Sequence, residues 1–234
     1  TSLNNYYESA PFGLATRPGV EPQDWNGSNV NQTVFNQNAH SDALVTRQGN
    51  AENFYVRLVC TKVGALGITA EAPAFINFGT PWVYAVSNKS KCDGGVYGGM
   101  SFSYKPDAIK GRYKRTPAAT KEKARIIAYL WSGTFKSSIP SGKSTRMQDD
   151  VDRAVMGRVS GVTGDGKLVA SCDYGFETTK NNDWEEIVVP INYKLTDVVP
   201  TKMNVIISSD DYWNRGNMVE NSKLEVDDVQ FVYY

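Results

Sequence analysis

Ala124-Arg125-Ile126-Ile127-Ala128-Tyr129-Leu130-Trp131 is the stretch on which the fold turns. In a strand, successive side chains point to opposite faces. Ala124, Ile126, Ala128 and Leu130 therefore share one face, and Arg125, Ile127, Tyr129 and Trp131 share the other. One face is cleanly apolar; the other mixes a cation with aromatic rings.

On either side the same signal recurs as short strands broken by turn residues. Ile109 to Lys114 sets Lys110, Arg112 and Lys114 opposite Ile109, Gly111 and Tyr113. Glu186 to Tyr193, Met203 to Ser208 and Leu224 to Tyr234 read as further strands. Asp165-Gly166 predicts a hairpin between Val155–Val162 and Leu168–Tyr174, because Asp-Gly favours the positive φ of tight turns. In the last strand, Leu224 and Val226 alternate in one register and Val229, Phe231 and Tyr233 in the other. Either a β-bulge at Asp227-Asp228 joins the two, or the strand is half-buried on both faces. Helical periodicity is weak everywhere, its best candidate being the short run Gln148 to Ala154. Many short strands with little helix define an all-β protein, an antiparallel two-sheet β-sandwich of the jelly-roll kind. One domain is expected over residues 1–234, with residues 1–50, rich in Asn, Gln and Pro, wandering over the surface first.

Composition excludes several roles. The 234 residues carry 25 basic and 25 acidic side chains, which leaves no excess charge for nucleic acid or an anionic membrane surface. No stretch is long and apolar enough for a transmembrane segment, and the opening lacks the basic and apolar regions of a signal peptide. Cys60, Cys92 and Cys172 allow at most one internal disulfide, with the pairing open. The lone histidine, His40, is expected in an exposed loop, so neither a zinc hydrolase site nor a Ser-His-Asp triad can be assembled. Ser141-Gly142-Lys143-Ser144 lacks the upstream glycine of a phosphate-binding loop, since position 137 is Ser137, and reads as a turn. No organic cofactor is expected.

Paired carboxylates, all that glycoside hydrolysis requires, occur at Glu185-Glu186, Asp210-Asp211 and Asp227-Asp228. Glu225-Val226-Asp227-Asp228-Val229-Gln230 matches a Glu-x-Asp-x-x-Glu strand except at its end. There Gln230 cannot supply a proton at neutral pH.

Three segments together resemble a known family. Tyr6-Tyr7-Glu8 precedes Gln23-Asp24-Trp25-Asn26-Gly27-Ser28-Asn29-Val30. Gly95-Val96-Tyr97-Gly98-Gly99-Met100-Ser101-Phe102 leads to Lys105-Pro106-Asp107-Ala108-Ile109-Lys110-Gly111-Arg112-Tyr113-Lys114. Ile206-Ile207-Ser208-Ser209 is followed by Ser222-Lys223-Leu224-Glu225-Val226-Asp227-Asp228-Val229. The pattern is similar to the "putative carbohydrate metabolism domain" of surface proteins of gut Bacteroidetes. Lys123 and Arg125 stand where that family often has an acid. The resemblance implies a galactose-binding-like jelly roll, export to the periplasm or outer-membrane surface, and a part in glycan use.

The expectation that follows is a non-catalytic carbohydrate-binding or glycan-capture domain whose partner is a poly- or oligosaccharide. A glycoside hydrolase and a structural or adhesive surface protein are the alternatives. Sugars stack a weakly apolar C–H face on aromatic rings and pair their hydroxyls with Arg, Asp and Asn. Candidate contacts are Trp82 and Tyr84, which alternate together after Gly79-Thr80-Pro81; Arg125, Tyr129 and Trp131 on one strand face; and Tyr212 and Trp213 in an Asp/Asn-rich loop, Trp213 being expected to be exposed. By resemblance, a structural Ca²⁺ would join the first and last strands through Glu8 and Asp228, accepting carbonyls beside carboxylates. The oligomeric state is not readable from the sequence.

Overall fold

The computed structural model describes residues 3, 5–9, 19–29, 32–34, 37–39, 44–65, 68–84 and 86–234. His40 lies outside them. Two antiparallel sheets face each other, as the strand pattern predicts. One has seven strands in the order Asn192–Tyr193, Lys167–Phe176, Ala124–Ser132, Lys202–Ser208, Phe75–Asn77 and Asn26–Gly27, with Met100–Ser101 also pairing on Lys202–Ser208. The other has five: Glu185–Pro190, Ala108–Thr116, Lys223–Val232, Asn53–Val59 and Val45–Asn50. Ala124, Ile126, Ala128 and Leu130 meet Val56, Leu58, Tyr113, Leu224 and Val226 between them, forming the main core.

The second face of Ala124–Ser132 is covered as well. The hairpin Thr80–Tyr84 with Asp93–Tyr97, the three-stranded sheet of Phe135–Ser141, Ser144–Asp149 and Thr163–Gly164, and the short helix Asp152–Val155 lie over it as a third layer. Ile127, Tyr129, Trp131, Phe75 and Ile206 pack there against Val96 and Val155. The layer carries a small core of its own, made of Trp82, Ile139, Val151 and Ala154.

The phase shift in the last strand is a bulge. Lys110 pairs with Gln230 and Arg112 with Asp227, so Asp228 and Val229 together oppose Gly111. Asp228 takes up the extra residue at φ 51° and is exposed, while Val229 returns to the core. Ser141–Ser144 forms the expected turn, with Gly142 at φ 58°.

Three expectations are corrected. The Asp165-Gly166 hairpin does not form: Thr163–Gly164 pairs with Phe135 and Lys136, whereas Lys167–Phe176 pairs with the central strand Ala124–Ser132. Val155 is held in the helix, and Val159 and Val162 pack against the third layer's own core instead of a partner strand. The run 186–193 is two strands in different sheets: Ile187 and Val189 lie over the main core in the five-stranded sheet, and Asn192–Tyr193 pairs with Ser171 and Ala170 in the other. The opening 50 residues are not only a surface trace. Leu3 and Trp25 are buried in the main core, Trp25 packed on Phe78 with ring centroids 4.2 Å apart, because a ring of that area gains more inside than outside. All three cysteines are free thiols.

Candidate functional site

Where the outer face of the central strand emerges from under the third layer, its first outward side chain is Arg125. Asp173 comes from the neighbouring strand, whose register places it across from Ile127. Asp211 follows the end of the strand Lys202–Ser208, and Arg158 follows the helix. Arg125 donates through Nε to Asp211 (2.7 Å) and through Nη1 to Asp173 (2.8 Å). The second oxygen of Asp173 accepts from Arg158 Nη2 (2.6 Å) and from Trp213 Nε1 (2.9 Å). The Arg158 guanidinium lies 4.3 Å from the centre of a Trp213 ring, a cation–π contact. Two cations and two carboxylates thus form a charge-balanced lattice, with Asp211 buried and Arg158 its most exposed member. Burial opposes the Arg125 charge, but the bonds to Asp211 and Asp173 outweigh it and lift its pKa above the ordinary value.

Deeper in, the Tyr212 hydroxyl donates to Asp152. Asp152 also accepts from the backbone N–H of Val96 (3.1 Å) and of Arg153 (2.6 Å). Burial raises the Asp152 carboxyl above its usual range, against the pull of those donors, and burial beside Asp152 holds the Tyr212 phenol well above its own. Arg153 then bonds Asp93 with both Nη groups (3.1 and 3.0 Å) and lies 5.6 Å over the Trp82 ring. Asp152 is 1% exposed, so no substrate reaches it. It ties the loop carrying Tyr212 to the hairpin carrying Trp82.

The structure therefore brings Arg125, Tyr212 and Trp213 into one cluster and links Trp82 to it through Arg153. Tyr129 and Trp131 are corrected: both are 0% exposed beneath the third layer, with no ring face left for a sugar. Trp82 is also buried, and Tyr84 is half-buried with its hydroxyl on the Gly142 carbonyl (2.7 Å). Trp213 is half-buried and packs on the core of the outer face, Arg158 and Tyr212 against its ring, rather than standing free in solvent. Of the partners that complete the cluster, Asp211 shows in the sequence only as half of the Asp210-Asp211 pair, and Asp173, Arg158, Arg153 and Asp93 carry no signal that separates them from any other surface charge.

The bulge turns Glu225, Asp227 and Gln230 toward one face of the five-stranded sheet. There Arg57 donates through Nε (2.9 Å) and Nη2 (2.7 Å) to one oxygen of Glu225. Glu186 of the Glu185-Glu186 pair sits 3.4 Å from Lys110. Among the described residues no three His, Cys, Asp or Glu side chains converge as a metal site. Of the expected calcium ligands, Asp228 is exposed at the bulge, while the Glu8 side chain lies outside the described residues.

These features define an antiparallel β-sandwich with a third layer laid over its larger sheet. No family model and no curated protein matches the chain. Solved structures do. One named as a putative glycoside hydrolase from Bacteroides vulgatus has TM-score 0.62 at 14% identity, over 99% of this chain and 96% of that one. A second, also named as a putative glycoside hydrolase, from Bacteroides thetaiotaomicron, has TM-score 0.57 at 15% identity, over 100% of this chain and 72% of that one. A mannan-recognising carbohydrate-binding module aligns over 97% of each chain at 11% identity, but its TM-score of 0.30 bears no argument. At such identities the likeness is one of fold.

Proposed function

We propose that the protein is an exported, non-catalytic carbohydrate-binding domain that holds a poly- or oligosaccharide at the Arg125–Asp173–Asp211–Arg158–Trp213 cluster. The observation that carries this reading is the cluster itself: planar guanidinium donors and carboxylate acceptors set around a half-exposed indole. Vicinal sugar hydroxyls pair with such forks, and a C–H face rests on such a ring. The names of the two Bacteroides neighbours and the family resemblance support a glycan-related role.

Those names also favour hydrolysis as the second reading. Against it, Asp173 and Asp211 are each bonded to Arg125, which leaves neither as a free carboxylate beside a substrate, and Asp152 is enclosed. The test is a glycan array followed by calorimetry on the best ligand. Arg158→Ala and Trp213→Phe should each weaken binding at least tenfold while folding is retained. Unchanged affinity in both variants removes the site. Release of reducing ends from any bound glycan replaces binding with hydrolysis.

A further inference from the structure

The two sheets do not close completely on each other. At the end of the sandwich where Trp25 and Phe78 stack, a cavity of about 190 Å³ opens between them. Trp25 and Met203, each 1% exposed, form its depth. Val229, returned to the inner face by the bulge, and Phe231 come from the five-stranded sheet. Met100, 40% exposed, brings the lining out to solvent. Among the described residues the lining also includes Gln230, which is exposed and lies between the inward-facing Val229 and Phe231 with its own side chain on the other face of the sheet.

Outside the cavity the surface is aromatic. Phe102, another lining residue, has Phe231 at 5.5 Å and Tyr104 edge-on at 5.6 Å. Tyr104 is 66% exposed, and Tyr233, two residues beyond Phe231, is 54% exposed. Rings therefore run from solvent into the depth, and no charged side chain is among the described lining residues. A dry apolar cavity of about 150 Å³ is large enough to hold benzene. This one is larger and open at one side, and none of its described lining residues carries a charge.

We infer that this cavity is a binding pocket for an uncharged aryl or short alkyl group, with the polar remainder of the ligand outside, beside the exposed Tyr104 and Tyr233. A charged head inside would lose hydration with nothing to replace it, so the guest is the apolar end of a larger molecule. The pocket shares no residue with the Arg125 cluster, and the inference is independent of glycan binding there.

The methionines supply the readout. With ¹³C-methyl methionine in the whole chain, benzene should shift Met100 and Met203 saturably and leave Met147, 61% exposed and remote from the cavity lining, unmoved. Val229→Phe, which fills the space, should abolish both shifts. If that variant does not fold, Val229→Leu should still weaken benzene binding severalfold. A void that admits no guest gives no saturable shift at either methionine, and parallel shifts at all five methionines mean surface partitioning. Either result overturns the pocket, as does undiminished binding in the filled variant.

Discussion

Replacing Asp210 with Asn should stabilise the protein above neutral pH and remove part of its pH dependence. Asp210 is completely buried, accepting the Ser209 hydroxyl at 2.8 Å and the Val219 N–H at 3.2 Å. It fastens one end of the loop that carries Asp211, Tyr212 and Trp213. The other end is held where Asn221 donates to the Cys60 carbonyl (2.8 Å) and Cys60 to that of Ser222 (3.0 Å). Burial, the largest influence, pushes the carboxyl up from 3.8 to about 6, while the bonds from Ser209 and Val219 pull it down. A raised acid binds its proton more tightly folded than unfolded. Its stabilising contribution is therefore complete below about pH 3.8 and is lost as pH rises through about 6.

A difference of that size corresponds to about 3 kcal/mol at about 1.4 kcal/mol per pKa unit. Asn keeps an acceptor for Val219 and a group that pairs with Ser209, without the charge. In urea titrations, wild type should lose up to ~3 kcal/mol more than Asp210→Asn between pH 4 and pH 7.5. Asp152 and Asp227 are raised as well, but they are common to both proteins and cancel in the difference. Parallel pH profiles, or an Asn variant less stable than wild type at pH 7.5, would refute the reasoning. A loop pinned more firmly should also leave glycan affinity at pH 7.5 no weaker.

Glu122→Gln should cost about 3–5 kcal/mol in the same titration, because it strands Arg115, whose side chain is 0% exposed and 3.2 Å from Glu122. A loss under about 1 kcal/mol would mean the pair contributes nothing. Asp228→Gly should gain up to about 1 kcal/mol by relieving the left-handed backbone at φ 51°, and a loss would give the aspartate a role beyond the bulge. That gain is expected in chelator; with calcium present, the ion we propose between Glu8 and Asp228 should reverse its sign. Calcium should then raise the melting temperature relative to a chelator, and the gain should vanish in Asp228→Asn; coincident melting curves dismiss it.

Sequence alone determined the strands, because alternation with period two is a local property of the chain. Ile109–Lys114, Met203–Ser208 and the central strand all fall where the pattern puts them. The phase slip was legible too, but it allowed either an inserted residue or a strand half-buried on both faces, and only the register decides for the bulge. Pairing is not local, and there the reading failed. Asp165-Gly166 has the chemistry of a hairpin turn, yet Lys167–Phe176 gains more as the neighbour of the central strand than beside Val155–Val162. The third layer was invisible for the same reason. Arg125, Ile127, Tyr129 and Trp131 read as one open face, but Thr80–Tyr84, Asp93–Tyr97 and residues 135–164 return over most of it. That covering turns Tyr129 and Trp131 into core and leaves Arg125 at the margin. The candidate site is the part of the face left uncovered. Its acids come from three separate segments, at Asp93, Asp173 and Asp211, and only the packing of one layer on another brings them beside their arginines.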